Sequence, residues 1–301
     1  MIRFSDAMKA RFGEKVYRLS LSSGCTCPNR DGSHVAADGT PMTGGCSFCS
    51  EGGSGEFAAA PAEIGIQIEE AKRLIAKKTK AEHFIAYYQS FTNTYGNPER
   101  LKRLYLETIR REEILALSLG TRPDCIPQEM LSVLAELNRI KPVWIELGLQ
   151  TIHEKTAERI RRGYALPVFT DCVRRLKAEG LEVIVHVIFG LPGESREEML
   201  DTVRFIAAMD PPVDGVKLQM LQILRGSAMA EEYLRNPFPL MTLEEYSGLI
   251  RESVRILPER TVLHRMTGDG PKRLLIAPLW CADKKRVLNT LNRALNSYKL
   301  I

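Results

Sequence analysis

Cysteine is scarce in this chain, and apolar runs of membrane length are absent from it. Seven cysteines in 301 residues are too few, and odd in number, for a disulfide scaffold. The opening residues "MIRFSDAMKARFGEKVYRLS" contain no apolar run fit for a signal peptide, and no later stretch approaches the length that crosses a bilayer. The expectation is a cytoplasmic protein with no membrane partner, whose thiols stay reduced. Low-complexity and linker-like segments are missing as well. With 44% hydrophobic residues the chain can bury one large core or two modest ones. A net charge of +5 permits a nucleic-acid partner without demanding one. Basic runs recur at 72–80, 159–162, 174–177 and 284–286, and such runs commonly form solvated helix faces.

What cysteine there is lies concentrated. Cys25, Cys27, Cys46 and Cys49 share the loop "GCTCPNRDGSHVAADGTPMTGGCSFCS", which is rich in glycine and too poor in apolar side chains to order itself by hydrophobic burial. Clustered reduced thiols point to a metal. The spacing is C-x-C-x18-C-x2-C. A structural zinc site usually wants two C-x2-C knuckles, and only "CSFC" qualifies, since "CTC" gives one metal a strained bite. The alternative is three thiolates on a [4Fe–4S] cluster, which leaves one iron open to a substrate. Spacing leaves both readings standing and leans modestly to the cluster. His34, Cys125, Cys172 and Cys281 have no spacing that supports a second site. Cys172 reads as a core thiol, and Trp144 and Trp280 as packing residues.

Around the loop, strand and helix patterns alternate regularly, the signature of a parallel sheet. Strand-like runs fall at 16–22, 84–91, 114–121, 143–151, 182–190 and 215–224. Between them lie amphipathic stretches, with Ile64, Ile68, Ala71 and Ile75 on one face of the first. Ser195 with Glu198 and Thr242 with Glu245 have the spacing of capping boxes. Six strand–helix units predict an α/β fold, a partial (β/α)6 barrel with its chemistry at the carboxyl ends of the strands. An open doubly wound sheet is the second choice. Residues 1–225 are expected to form the barrel and 226–301 an extension packed on it, in which "TVLHRMTGDGPKRLLIAPLW" (261–280) reads as irregular. The cysteine loop leaves the carboxyl end of the first strand, where a purely structural zinc clip would gain nothing.

Strand interiors of such sheets are normally near-continuous apolar runs. Here Gln89, Glu146, Gln150, His186, Lys217 and Gln219 interrupt them. Glu146 and Gln150 share a face, as do His186 with Ile188 and Lys217 with Gln219. Buried Glu and Lys must pair with each other, water or a ligand. One such residue is as readily a satisfied internal contact; together they suggest a binding lumen. "GLPGES" (190–195) offers close backbone approach and a helix start, but a plain strand–helix turn uses the same residues.

Taken in order, "TCPNRDG", "GGCSFC", "YYQSFTNTYG", "SLGTRPDC", "ELGLQT", "RIRRGY", "VHVIFGLPGES", "VKLQML" and "HRMTGDGP…APLW" resemble the radical S-adenosylmethionine (SAM) superfamily. Within it the resemblance is to the YhcC/YtqA-like family related to the Elongator catalytic subunit. It implies an enzyme in which Cys27, Cys46 and Cys49 hold the [4Fe–4S] cluster and Cys25 is spare. The chain departs from the superfamily's usual C-x3-C-x2-C, since 18 residues separate Cys27 from Cys46. The resemblance places Phe48 and Ile188 near the adenine of SAM, Gln89 and Ser90 near its amino group, Arg162 near its carboxylate, and Gln150 with the same cofactor. It also implies a tRNA substrate in wobble-uridine side-chain modification, of the carboxymethylaminomethyl to aminomethyl type. Glu146, His186 and Lys217 are then the substrate candidates, with Lys217 or His186 the cation for the substituent's carboxylate. A reductant protein such as flavodoxin or ferredoxin is expected. A small-molecule or peptide substrate is the rival reading. A zinc-stabilised RNA- or protein-binding adaptor fits the loop but not the polar strands.

Overall fold

The computed structural model describes residues 2–36, 39–53, 55–77, 79–268 and 270–296. Eight strands form one sheet: β1 (Ile2–Arg3), β2 (Tyr17–Leu21), β3 (Phe84–Tyr88), β4 (Ile114–Thr121), β5 (Val143–Gln150), β6 (Glu182–Phe189), β7 (Gly215–Met220) and β8 (Val262–Arg265). Every neighbouring pair is parallel. The order across the sheet is β1-β8-β7-β6-β5-β4-β3-β2. From β2 to β8 it follows the chain step by step, without the reversal that marks a doubly wound sheet. The sheet curls into an open half-barrel.

The helices form for local reasons that the sequence carries. Ile64, Ile68 and Ala71 of the helix Ile64–Ile75 are buried at helical spacing. Asn97 caps Pro98–Ile109 by accepting from Arg100 N at 2.9 Å. Both expected capping boxes are present, Ser195/Glu198 and Thr242/Glu245. All five residues of β3 are buried, and a continuous core joins the sheet to its helices. Cys172 is buried in that core, and Trp144 packs edge-on against Phe4 and His264. Trp280 lies against Tyr246 and donates to the Met241 carbonyl at 2.9 Å.

Two expectations are corrected. The stretch read as irregular contains β8, which pairs with β7 and in turn carries β1. The run 215–224 divides: β7 stops at Met220, and Ile223–Leu224 pairs antiparallel with Leu275–Ala277. The last described helix is Lys284–Asn296.

Candidate active site

The cysteine loop is held by polar bonds instead of apolar burial. Cys27 precedes a single helical turn, Pro28–Asp31, and its carbonyl accepts from Arg30 N at 2.8 Å and Asp31 N at 3.2 Å. Asn29 is fully buried at the centre of the loop. Its Nδ2 donates to the carbonyls of Arg161 at 2.7 Å and Arg162 at 3.1 Å, and its own carbonyl accepts from Gly45 N at 2.9 Å. Gly163 has φ +81°, and a Cβ there would stand 2.7 Å from Asn29 Oδ1, so only glycine fits. Ser47 N donates to Ile160 O at 2.9 Å and Cys49 N to Cys46 O at 2.9 Å.

This scaffold sorts the four thiols. Cys27, Cys46 and Cys49 line one cavity of about 210 Å³ at the carboxyl ends of the strands. Cys25 does not line it; Arg100 Nη2 donates to its sulfur at 3.3 Å. A hydrogen bond from Cys49, working against burial and helped by the Arg122 charge, pulls the Cys46 thiol down to about 7. Burial pushes the Cys27 thiol up, an effect that Thr92 and Arg122 partly offset. Among the described residues no three His, Cys, Asp or Glu side chains close around one ion's position. A cubane bound through its corner irons asks for a wider set of thiolates, and three thiols around one cavity beside a buried arginine suit it.

The cavity wall brings most of the expected cofactor residues together. Phe48 and Ile188 line it, and Phe48 packs against the small apolar cluster that contains Ile188. Gln89 and Gln150 line it too. Gln150 sits at φ +67°, uncommon outside glycine, and its buried Oε1 has no hydrogen-bond partner among the described residues. A buried orphan acceptor of this kind calls for a ligand donor. Two residues depart from expectation. Ser90 is buried and donates to the Gly55 carbonyl at 3.3 Å, outside the cavity lining. Arg162 lines the cavity, but its donors reach the carbonyls of Leu149, Thr151 and Tyr164 and the carboxylate of Glu154. These bonds clamp the turn. Arg122, which the sequence reading did not single out, stands nearer the thiols; it bonds Asp124 at 3.0 and 2.7 Å and the Arg162 carbonyl at 2.7 Å.

Below the thiols lies a polar floor. The Glu146 carboxylate, 1% exposed, accepts from Ser118 Oγ at 2.6 Å, from His186 Nε2 at 2.7 Å, and from Lys217 Nζ. Lys217 Nζ also donates to Tyr87 Oη at 2.9 Å. Burial opposes ionisation of Glu146, but Lys217 and His186 hold its carboxyl well below the usual range. Burial and the Lys217 charge bring His186 down to about 4, so the imidazole is neutral near pH 7. Tyr87, Glu146, His186 and Gln219 line the cavity, whereas Lys217 is buried beneath it. Lys217, expected as a cation for a substrate carboxylate, is paired with Glu146 and Tyr87, and His186, its alternative, gives its Nε2 to Glu146. Arg265 of β8 also lines the cavity, and its Nη2 donates to Gln219 Oε1 at 3.0 Å.

A family model described as the Radical SAM superfamily matches residues 43–206, and a Radical_SAM C-terminal domain matches residues 213–297. The first match includes Cys46 and Cys49 and begins after Cys27. YtqA of Bacillus subtilis is 37% identical over 291 residues, which cover 96% of this chain and 88% of that protein. The tRNA uridine(34) acetyltransferase of Methanocaldococcus jannaschii is 26% identical over 165 residues, 54% of this chain and 30% of the relative. Among solved structures, the archaeal Methanocaldococcus infernus Elp3 with an N-terminal deletion aligns with a TM-score of 0.63 at 20% identity. That alignment covers 76% of this chain and 58% of the other, and it speaks to fold alone. No described helix is long and apolar enough to cross a membrane. With one family model matched over more than half its length, the chain belongs to the radical SAM superfamily, in the YhcC/YtqA-like family related to the Elongator catalytic subunit, and is an enzyme that uses a [4Fe–4S] cluster to cleave SAM reductively.

Proposed function

We propose that this enzyme modifies the wobble uridine of tRNA, trimming a carboxymethylaminomethyl group at C5 toward aminomethyl. The observation that carries the reading is the polar floor of Tyr87, Glu146, His186 and Gln219 under a cavity rimmed by three thiols. Hydrogen-bonding groups lining the same cavity as the thiols suit a polar substrate group held beside SAM. Relatives named tRNA uridine(34) acetyltransferase and Elongator complex protein 3 support the choice of substrate class.

In this reading Cys27, Cys46 and Cys49 hold the cluster, Phe48 and Ile188 flank the adenine, and Gln89 and Gln150 meet polar groups of SAM. Ser90 keeps the turn at Gly55 in place, Arg162 holds its own turn, and Arg122 supplies positive charge beside the thiolates. The bound cluster and SAM supply a 5′-deoxyadenosyl radical for hydrogen abstraction. The chain's own task is to hold one C–H bond of the substrate at the cavity and to keep other hydrogen donors out. A C–H bond beside an amine nitrogen is weakened, which suits the carbon between the amine and the carboxylate. Loss of its hydrogen, return of one electron to the redox protein and addition of water to the resulting iminium would break the carbon–nitrogen bond, releasing the two-carbon unit as glyoxylate and leaving aminomethyl. The wobble base must leave its stack to reach the cavity, and in a single-stranded anticodon loop that is inexpensive. The reaction would run in the cytoplasm with electrons from a protein such as flavodoxin or ferredoxin.

The experiment is direct. Anaerobically reconstituted enzyme, SAM and reductant are incubated with tRNA from a strain lacking the gene, and the nucleosides are measured. Carboxymethylaminomethyluridine should fall as aminomethyluridine rises. Unchanged wobble uridine, with SAM turnover on a small metabolite or peptide, would replace tRNA by that substrate.

A further inference from the structure

Three lumen residues on adjacent strands stand in one row. His186 of β6 is in register with Lys217 of β7, and Lys217 with Arg265 of β8. Lys217 is buried below the row's surface, bonded to Glu146 and Tyr87, while His186 and Arg265 on either side line the cavity. With strands about 4.8 Å apart, the two backbones are about 10 Å apart, a gap that an imidazole and a guanidinium can bridge around a small group.

The two side chains offer opposite chemistry. A carboxylate can only accept, so the bond from His186 Nε2 to Glu146 at 2.7 Å fixes the imidazole proton on Nε2. Nδ1 is then an acceptor, and it makes no hydrogen bond among the described residues. Lys217, on the same carboxylate oxygen, stabilises the charge that holds this tautomer. Arg265, in contrast, is a donor and a permanent cation. Its plane is steadied by Gln219, two residues along β7 from Lys217, at 3.0 Å.

We propose that His186 and Arg265 read the two ends of an N-substituted glycine on the substrate: the amine N–H donates to His186 Nδ1, and the carboxylate accepts from the Arg265 guanidinium. The inference rests on the wobble-uridine reading and deepens it, because the carboxymethylaminomethyl group carries such a unit. It assigns specificity to a residue of β8 and makes Lys217 a positioning residue that acts through Glu146.

The test is binding by the reconstituted enzyme with SAM, using three tRNAs that differ at the wobble base. One carries carboxymethylaminomethyluridine, one aminomethyluridine (amine without carboxylate), and one carboxymethyluridine (carboxylate without amine). The wild-type protein should prefer the first over each of the others by roughly 10- to 100-fold, the usual range for a hydrogen bond to a charged group. Arg265→Gln should erase the preference over aminomethyluridine and keep that over carboxymethyluridine; Arg265→Lys should recover part of it. His186→Phe should do the opposite. Melting curves show whether each variant folds. Should the phenylalanine variant not fold, His186→Ala is used, with added imidazole expected to restore the lost preference. Folded Arg265→Gln or His186→Phe protein that keeps both wild-type preferences overturns the inference and leaves the tRNA reading intact. A wild-type enzyme that binds all three equally overturns this inference and leaves the tRNA reading intact; one that binds no tRNA overturns both.

Discussion

Replacing His186 by glutamine should make the protein less sensitive to mild acid. Glutamine can still donate to Glu146, so the bond of 2.7 Å has a substitute, but it cannot take up a proton. In the native chain burial and the Lys217 charge lower the imidazole to about 4, and the ordinary histidine value is about 6.5. Between these values the unfolded chain binds a proton that the folded chain does not. Stability therefore rises with pH in this window. The contribution is fully present above the unfolded value and is lost as pH falls toward the folded one. Each pH unit inside the window is worth about 1.4 kcal/mol. Going from pH 6.5 to pH 4.5 should thus cost the wild type roughly 2–3 kcal/mol more than His186→Gln. His264 is also held low, chiefly by burial and by Arg18 and least by His186 itself, and it is present in both proteins, so it largely cancels in the difference. Urea unfolding of the cluster-free chain under reducing conditions, at several pH values, measures it. Equal losses in the two proteins would refute the neutral, Glu146-bound histidine.

Among the four loop thiols, Cys27→Ser, Cys46→Ser and Cys49→Ser should each abolish the brown cluster and its iron, about four per chain in the intact protein. Cys25→Ser should retain most of both, because its sulfur meets Arg100 outside the cavity; iron analysis with visible absorption decides. Lys217→Met should destabilise the fold by about 3–5 kcal/mol, since it leaves the Glu146 carboxylate buried without its cation. Adding Glu146→Gln should recover much of that loss in a double-mutant cycle, and a single-variant cost under about 1 kcal/mol would contradict the buried pair.

The periodic parts of the chain were legible because their periods are strong. Strand β4 occupies the expected residues 114–121, and β6 ends one residue short of its expected run. Strand β8 was not legible. Only one of its four residues, Leu263, is buried, so it shows no apolar alternation, and its pairing comes from an edge that only the folded sheet presents. Arg265 was missed with it. Arg122 escaped notice because an arginine in "GTRPDC" reads as a surface charge until the turn folds over it. Arg162 stands out in the sequence, but the bonds it makes do not. Its turn leaves buried carbonyls at Leu149, Thr151 and Tyr164 that need donors, a demand written in the backbone and not in the residue pattern. Cys25 and Cys27 lie two positions apart along a sharply turning chain and so face different surroundings, Arg100 for one and the cavity for the other.

The bond from Gly45 N to the Asn29 carbonyl at 2.9 Å has a consequence for how much chain can be added at this loop. It ties residue 45 back to residue 29, so the segment between them leaves and returns at one knot. Within it, Gly32–Val35 and Pro41–Thr43 run antiparallel as a hairpin. Cys27 and Cys46 lie on the near side of the knot, fixed by Asn29 to the carbonyls of Arg161 and Arg162. Extra residues at the far end of the hairpin would lengthen the detour without moving either sulfur, and lengthening a closed loop costs little, about 0.6 kcal/mol per doubling. The hairpin end is therefore a natural graft site for an affinity peptide or a spectroscopic label that leaves the thiols where they are.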